Sequence, residues 1–120
     1  MLDQKVKTTL EQAERLFMAA QEELSRPEED VVPYLVCHKA YESINKYLTG
    51  FLLNNGIDVH MAMTLENLLE QCQAIDSKFK SLKLDPLYGV FESSDIWVDV
   101  DEVRELVRLA TQTRKMVGQA

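Results

Sequence analysis

The chain has 120 residues, 46% of them hydrophobic, with 13 lysines and arginines against 20 aspartates and glutamates, for a formal charge of -7. That length suits a single domain over 1-120 and can bury a core without metal or disulfide staples. The acidic balance disfavours broad, charge-driven binding to nucleic acid or to an anionic membrane, while leaving room for a local basic patch.

Four helical segments follow in chain order. The first is expected from about Asp3 to Ser25. Its apolar positions Val6, Leu10, Ala13, Leu16, Phe17, Ala20 and Leu24 recur in steps of three and four, which draws one stripe on a helix. Arg26-Pro27 ends it, because proline restrains the residue before it and cannot continue the ladder. Glu28, Glu29 and Asp30 then suit the positive end of the next helix dipole.

The second helix is expected to start near Val31 or Val32, with Pro33 in its first turn, and to stop at Asn54-Asn55-Gly56. One apolar stripe is Cys37, Ala40, Ile44, Leu48 and Phe51. A second runs through Tyr34, Tyr41 and Leu52. A helix apolar on two sides is central in a bundle or shared with a partner chain. Gly50 costs about 1 kcal/mol of helix propensity against alanine, so it marks a close helix crossing.

Thr64 is placed to cap a third helix over about Leu65 to Phe79, with Leu65, Leu68, Leu69, Cys72, Ile75 and Phe79 inward. The stretch from Lys80 to Val100 is the least regular, with turn signals at Asp85-Pro86 and Tyr88-Gly89. Only Ile96-Trp97-Val98-Asp99-Val100 could pass for a short strand. Asp99 or Asp101 then caps a last helix to about Val117, whose inner face is Val103, Leu106, Val107, Ala110 and Val117. The pattern predicts an all-α, up-down bundle of four to five helices.

The same residues bound the chemistry. Met1-Leu2-Asp3-Gln4-Lys5 turns polar at once, so no signal peptide is expected, and no apolar run is long enough to span a bilayer. Cys37 and Cys72 form no CxxC pair, which favours a reduced, cytoplasmic setting; a bridge between them stays open on spacing alone. His38 and His60 have no metal-ligand spacing, so neither a metal nor another cofactor is implied. Cys37 and His38 are adjacent on a helix and point about 100° apart, which is poor geometry for a nucleophile and its base. Tyr34, His38, Tyr41, Glu42, Asn45 and Lys46 share a polar flank of the second helix, readable either as boundary polar contacts or as a ligand-facing cluster. Arg104, Arg108 and Lys115, with Arg114 beside them, and the run Lys78, Lys80 and Lys83 read first as solvated helix faces and ends.

The second helix also carries a family signal. His38-Lys39-Ala40-Tyr41-Glu42-Ser43-Ile44-Asn45-Lys46-Tyr47-Leu48, followed by Asn55-Gly56-Ile57, resembles the HEPN (higher eukaryotes and prokaryotes nucleotide-binding) family, with Ala40, Glu42, Lys46 and Leu48 matching its second-helix pattern. Leu10-Glu11-Gln12-Ala13-Glu14, Thr64-Leu65-Glu66-Asn67-Leu68-Leu69-Glu70-Gln71-Cys72 and Arg108-Leu109-Ala110 are similar to its first, third and last helices. The catalytic members carry an arginine about four to six residues before a histidine, and neither His38 nor His60 has one at that distance. Leu87-Tyr88-Gly89 stands where many relatives have Arg-Tyr-Pro, and Met63-Thr64-Leu65 where they have His-Asp-Leu. Metal-independent RNA cleavage needs a general acid–base and a cation on the developing charge. The resemblance therefore implies a divergent, non-catalytic member.

On these grounds the expected function is an HEPN-like nucleotide-binding or protein-interaction module with no catalytic residues and no metal. The resemblance, together with the two-sided second helix, implies a homodimer. The resemblance alone implies a nucleotidyltransferase or toxin-antitoxin partner. The expected ligand-binding residues are His38, Lys39, Glu42, Lys46 and Tyr88, with Lys46 on a phosphate or carboxylate. Two alternatives stand beside it. One is an atypical ribonuclease using His38 with Arg104 or Arg108. The other is a purely structural dimeric subunit.

Overall fold

The computed structural model describes residues 2–60, 63–85 and 100–118. It is an all-helical bundle with no strand among those residues. The helices are α1 (Leu2–Leu24), α2 (Pro33–Asn54), α3 (Leu65–Ile75) and α4 (Val100–Val117). The expectations for Tyr88, for the segment around Ile96-Trp97-Val98 and for Asp99 as a cap lie outside the described residues. Asp101 falls within the first turn of α4 rather than ahead of it.

The α1 stripe forms as its spacing requires, with Val6, Ala13, Phe17 and Ala20 buried and Leu10, Leu16 and Leu24 half-buried. The chain then turns through Glu28–Asp30, a short 3-10 turn. The acidic run forms that turn instead of lying against the start of α2. The carboxylate there belongs to Glu23 of α1, which accepts the Val32 amide at 3.1 Å. Pro33 at the first position of α2 lacks an amide that would otherwise go unpartnered.

Helix α2 is the centre of the bundle. It packs most extensively on α1, then on α4 and α3. Cys37, Ala40, Ile44 and Leu48 are fully buried, as the first stripe predicts. The second face is wider than expected and uses other residues. Val36, Ser43, Tyr47 and Gly50 are inside with Leu52, whereas Tyr41 is half-buried and Tyr34 is 50% exposed. Gly50 does mark a close crossing. A Cβ there would lie 2.8 Å from Leu10 Cγ on α1 and closer still to its Cδ2.

The end of α2 is a Schellman motif. Ile57 N–H donates to Leu52 O at 3.0 Å and Gly56 N–H to Leu53 O at 3.1 Å, around Gly56 at φ 77°. Thr64 caps α3 as expected. Its hydroxyl accepts Asn67 N–H at 3.1 Å, and the Asn67 side chain accepts Thr64 N–H at 3.4 Å. The third helix is shorter than the apolar pattern suggests. It ends at Ile75, which is 40% exposed, because Asp76 turns extended and its carboxylate accepts Lys78 N–H. A 3-10 turn over Ser77–Ser81 then delivers Phe79 to the core against Phe51, ring centroids 4.7 Å apart.

Directions follow from side-chain pairs. Tyr47 of α2 meets Glu14 of α1, and Cys72 of α3 lies under Leu48 of α2. Glu102 at the start of α4 acts electrostatically on Cys37 near the start of α2, while Arg114 near its end reaches Glu14. Helices α2 and α4 are thus parallel, and α1 and α3 run opposite to them. Buried residues of all four helices join in one core with Phe79, Leu82 and Leu84. No helix among the described residues is long and apolar enough to cross a membrane.

Candidate functional site

Four pieces of chain enclose a cleft of about 260 Å³ at the Gly56 end of the bundle. Helix α1 supplies Lys5 and Thr9, one turn apart on the same side. Helix α2 supplies Asn45, Lys46, Thr49 and Leu53, of which Asn45, Thr49 and Leu53 form a single row at four-residue spacing. The segment after the Schellman turn folds back and adds Val59, His60 and Met63, with Met63 N–H donating to His60 O at 3.0 Å. Leu68 of α3 completes the lining.

The charge of this cleft opposes that of the chain. Its lining contains two lysines and a histidine but no aspartate or glutamate, in a sequence with a formal charge of -7. Neither Lys5 nor Lys46 forms an ion pair among the described residues, where every pair found uses other cations. Lys46 is half-buried, which weakens screening of its charge relative to a fully solvated lysine. The hydroxyls of Thr9 and Thr49 and the Asn45 amide add hydrogen-bonding groups beside the ammonium groups. Such a lining offers an anion both positive charge and hydrogen-bonding groups.

The residues singled out on α2 are not gathered into one place. Lys46 enters the cleft. Lys39, seven residues earlier and so about 10 Å along the helix axis, instead lines a more open groove with Ala19, Glu22, Glu23, Arg26 and Leu35. There the carboxylates of α1 dilute its charge. His38 is exposed and stacks on Tyr34 one turn before it, centroids 6.2 Å apart and planes 12° apart. Glu42 is half-buried and, after burial itself, contributes to raising the Tyr41 phenol. Tyr88 lies outside the described residues. Lys5 and His60 join the site without having been picked out for it. Lys5 is remote in sequence, and His60 follows a turn whose path no periodicity dictates.

Two other features bear on function. Arg104 and Arg108 are exposed and engage Asp101 and Glu105 on their own helix, at 3.3 Å and 2.6 Å. Both cysteines are free and buried. Burial pushes the Cys37 thiol up to about 11, with Glu102 adding to it, and burial alone pushes Cys72 up to about 12. A thiol so raised is a poor nucleophile at neutral pH. Among the described residues no three histidine, cysteine, aspartate or glutamate side chains are placed to hold a metal ion. Comparison of the chain with protein-family models, curated proteins and solved structures finds no match.

Proposed function

We propose that the chain is a non-catalytic, HEPN-like binding module whose ligand is a nucleotide-like, phosphate-bearing molecule held in the cleft at Lys46. The observation that carries this is a cleft lined by Lys5, Lys46 and His60 with no acidic side chain, on an otherwise acidic chain. Lys46 is also one of the positions at which the second helix resembles the HEPN pattern. A charge-assisted contact from Lys46, set against the cost of association, suits weak binding of a phosphate group, about 0.1–1 mM. In this reading the module works in the cytoplasm, a setting in keeping with two free, buried thiols.

The resemblance adds a homodimer and a nucleotidyltransferase or toxin-antitoxin partner to the proposal. The large exposed apolar side chains Met18, Val32 and Leu35 on or beside α1 and α2 support such contacts. Calorimetric titration with AMP tests the ligand, using wild-type protein and Lys46→Met. Heat of binding in the wild type, lost in the variant with unchanged circular dichroism, is the expected result. No binding of AMP to the wild type overturns the reading.

A further inference from the structure

The turn that ends α2 holds the one place in the sequence where an asparagine precedes a glycine, Asn55-Gly56. We propose that Asn55 is a site of spontaneous deamidation, that the Schellman turn guards it, and that its conversion unlatches the segment lining the cleft.

The chemistry needs no co-reactant but water. Gly56 N–H gives up its proton to hydroxide, and the nitrogen attacks the Asn55 side-chain carbonyl carbon. The N–Cγ bond forms, the Cγ–Nδ2 bond breaks, and Nδ2 takes up a proton and leaves as ammonia. Water then opens the resulting succinimide at either carbonyl, which leaves aspartate or isoaspartate at position 55. Glycine favours the attack, because no Cβ shields its nitrogen and its backbone turns freely. Both residues are exposed, and nothing lies within 4 Å of where a Gly56 Cβ would be. The other asparagines lack this pairing. Asn45, Asn54 and Asn67 precede Lys46, Asn55 and Leu68, and all three lie within α2 or α3.

The closed turn opposes the reaction. Asn55 has ψ 14°, which leaves the Gly56 nitrogen nearly eclipsed with the Asn55 nitrogen, whereas ring closure needs it on the side of Cβ. Gly56 N–H is held by Leu53 O at 3.1 Å and Ile57 N–H by Leu52 O at 3.0 Å, so the required rotation breaks the turn. Asn55 Nδ2 donates to Phe51 O at 2.8 Å, which holds the side chain against the last turn of α2. Ile57 packs half-buried on the core, the apolar contact that accompanies such motifs. Attack therefore waits for local opening. Neither product restores the turn fully. Aspartate adds charge at the negative end of the α2 dipole, and isoaspartate adds a methylene to the backbone. Val59, His60 and Met63, which follow the turn and line the cleft, then lose their anchor.

The test ages the protein at mildly alkaline pH, in buffer and in urea. Peptide mapping by mass spectrometry reads each asparagine, and hydrogen exchange reads the Ile57 amide. Asn55 is expected to convert ahead of the other three. Its conversion in buffer is expected to be slower than in urea by about tenfold or more, a factor matching the protection of the Ile57 amide. Ile57→Ala leaves the reacting atoms unchanged and is expected to speed conversion in buffer about tenfold, but not in urea. The Val59 and His60 amide shifts are expected to move in converted protein and to stay fixed in Asn55→Gln protein aged alongside. Earlier conversion of another asparagine, or none at Asn55 in urea, overturns the site. Equal rates in buffer and urea, a comparison that needs no variant, or no acceleration by Ile57→Ala, overturn the guarding turn. Unmoved Val59 and His60 amides in converted protein overturn the unlatching.

Discussion

Glu14 and Arg114 are separated by 100 residues in the chain and by 2.7 Å in the fold, where Arg114 Nε donates to Glu14 Oε1 and its Nη2 reaches Oε2 at 3.2 Å. The Tyr47 hydroxyl donates to the same Oε1 at 2.6 Å. The guanidinium also lies over the Phe17 ring, 5.3 Å from its centroid. One half-buried carboxylate thereby ties α1, α2 and α4 together. The Arg114 hydrogen bond holds Glu14 below its ordinary 4.5, against the opposing effect of burial and with help from Tyr47. A carboxylate lowered in the folded state binds its proton more weakly there than in the unfolded chain. Its stabilisation is therefore complete above 4.5 and is lost as pH falls through the lower folded value. Glu14→Gln is expected to cost about 1–3 kcal/mol at pH 7 and to flatten the acid limb of stability. Urea unfolding followed from pH 7 to low pH checks both, and an unchanged acid limb would count against the tie.

Gly50 is a second point where α1 and α2 are fixed. Alanine gains about 1 kcal/mol of helix propensity over glycine, yet its Cβ would press into Leu10. Overpacking of this kind costs roughly 1–3 kcal/mol. Gly50→Ala is expected to be neutral to destabilising, and Gly50→Val clearly destabilising, in thermal unfolding. A Leu10→Ala change should restore stability selectively to the Gly50→Ala protein, because it removes the atoms in the way.

The start of α3 depends on the reciprocal pair Thr64 and Asn67. Thr64→Ala removes the cap on the Asn67 amide and is expected to cost about 0.5–2 kcal/mol. Thr64→Ser should recover most of it. The readout is the midpoint of urea unfolding for the three proteins.

Cys37 and Cys72 should resist alkylation in the folded protein. Both thiols are buried and raised, to about 11 and about 12, so little thiolate exists at neutral pH and none of it is accessible. Iodoacetamide labelling followed by mass spectrometry is expected to show neither modified until denaturant is added. Rapid labelling of either in the native state contradicts the packing of α2 on α3 and α4.

Lys39 and Lys46 give a contrast within one helix. If ligand binding belongs to the cleft, Lys46→Met should weaken phosphate binding by about tenfold or more, and Lys39→Met should leave it within about twofold. Loss in the Lys39 variant equal to that in the Lys46 variant would place the ligand along the α1–α2 groove instead.

Much of the bundle is legible in the residues alone. The stripes of α1 and α4, the stop at Gly56 and the cap at Thr64 are local effects of spacing, positive φ and a hydroxyl within reach of an amide. The third helix was not, because Phe79 continues the apolar period while Asp76, a single residue, breaks the backbone before it. The second face of α2 was only partly legible. Tyr34 and Tyr47 are the same residue type, and which of them is buried depends on whether Glu14 and Arg114 wait for the hydroxyl.

The candidate site divides in the same way. The acidic charge, the helical period and the turn signals are properties of the chain itself, and with them the all-α bundle and Lys46 as a residue to watch. That Lys46 lines one cleft with Lys5 and His60, while Lys39 lines another with Glu22 and Glu23, depends on how α1 lies across α2 and how the chain folds back after Gly56. Helical periodicity places a side chain on a face of its own helix. Which neighbour occupies that face is decided by packing between elements remote in sequence, and only the tertiary structure carries that information.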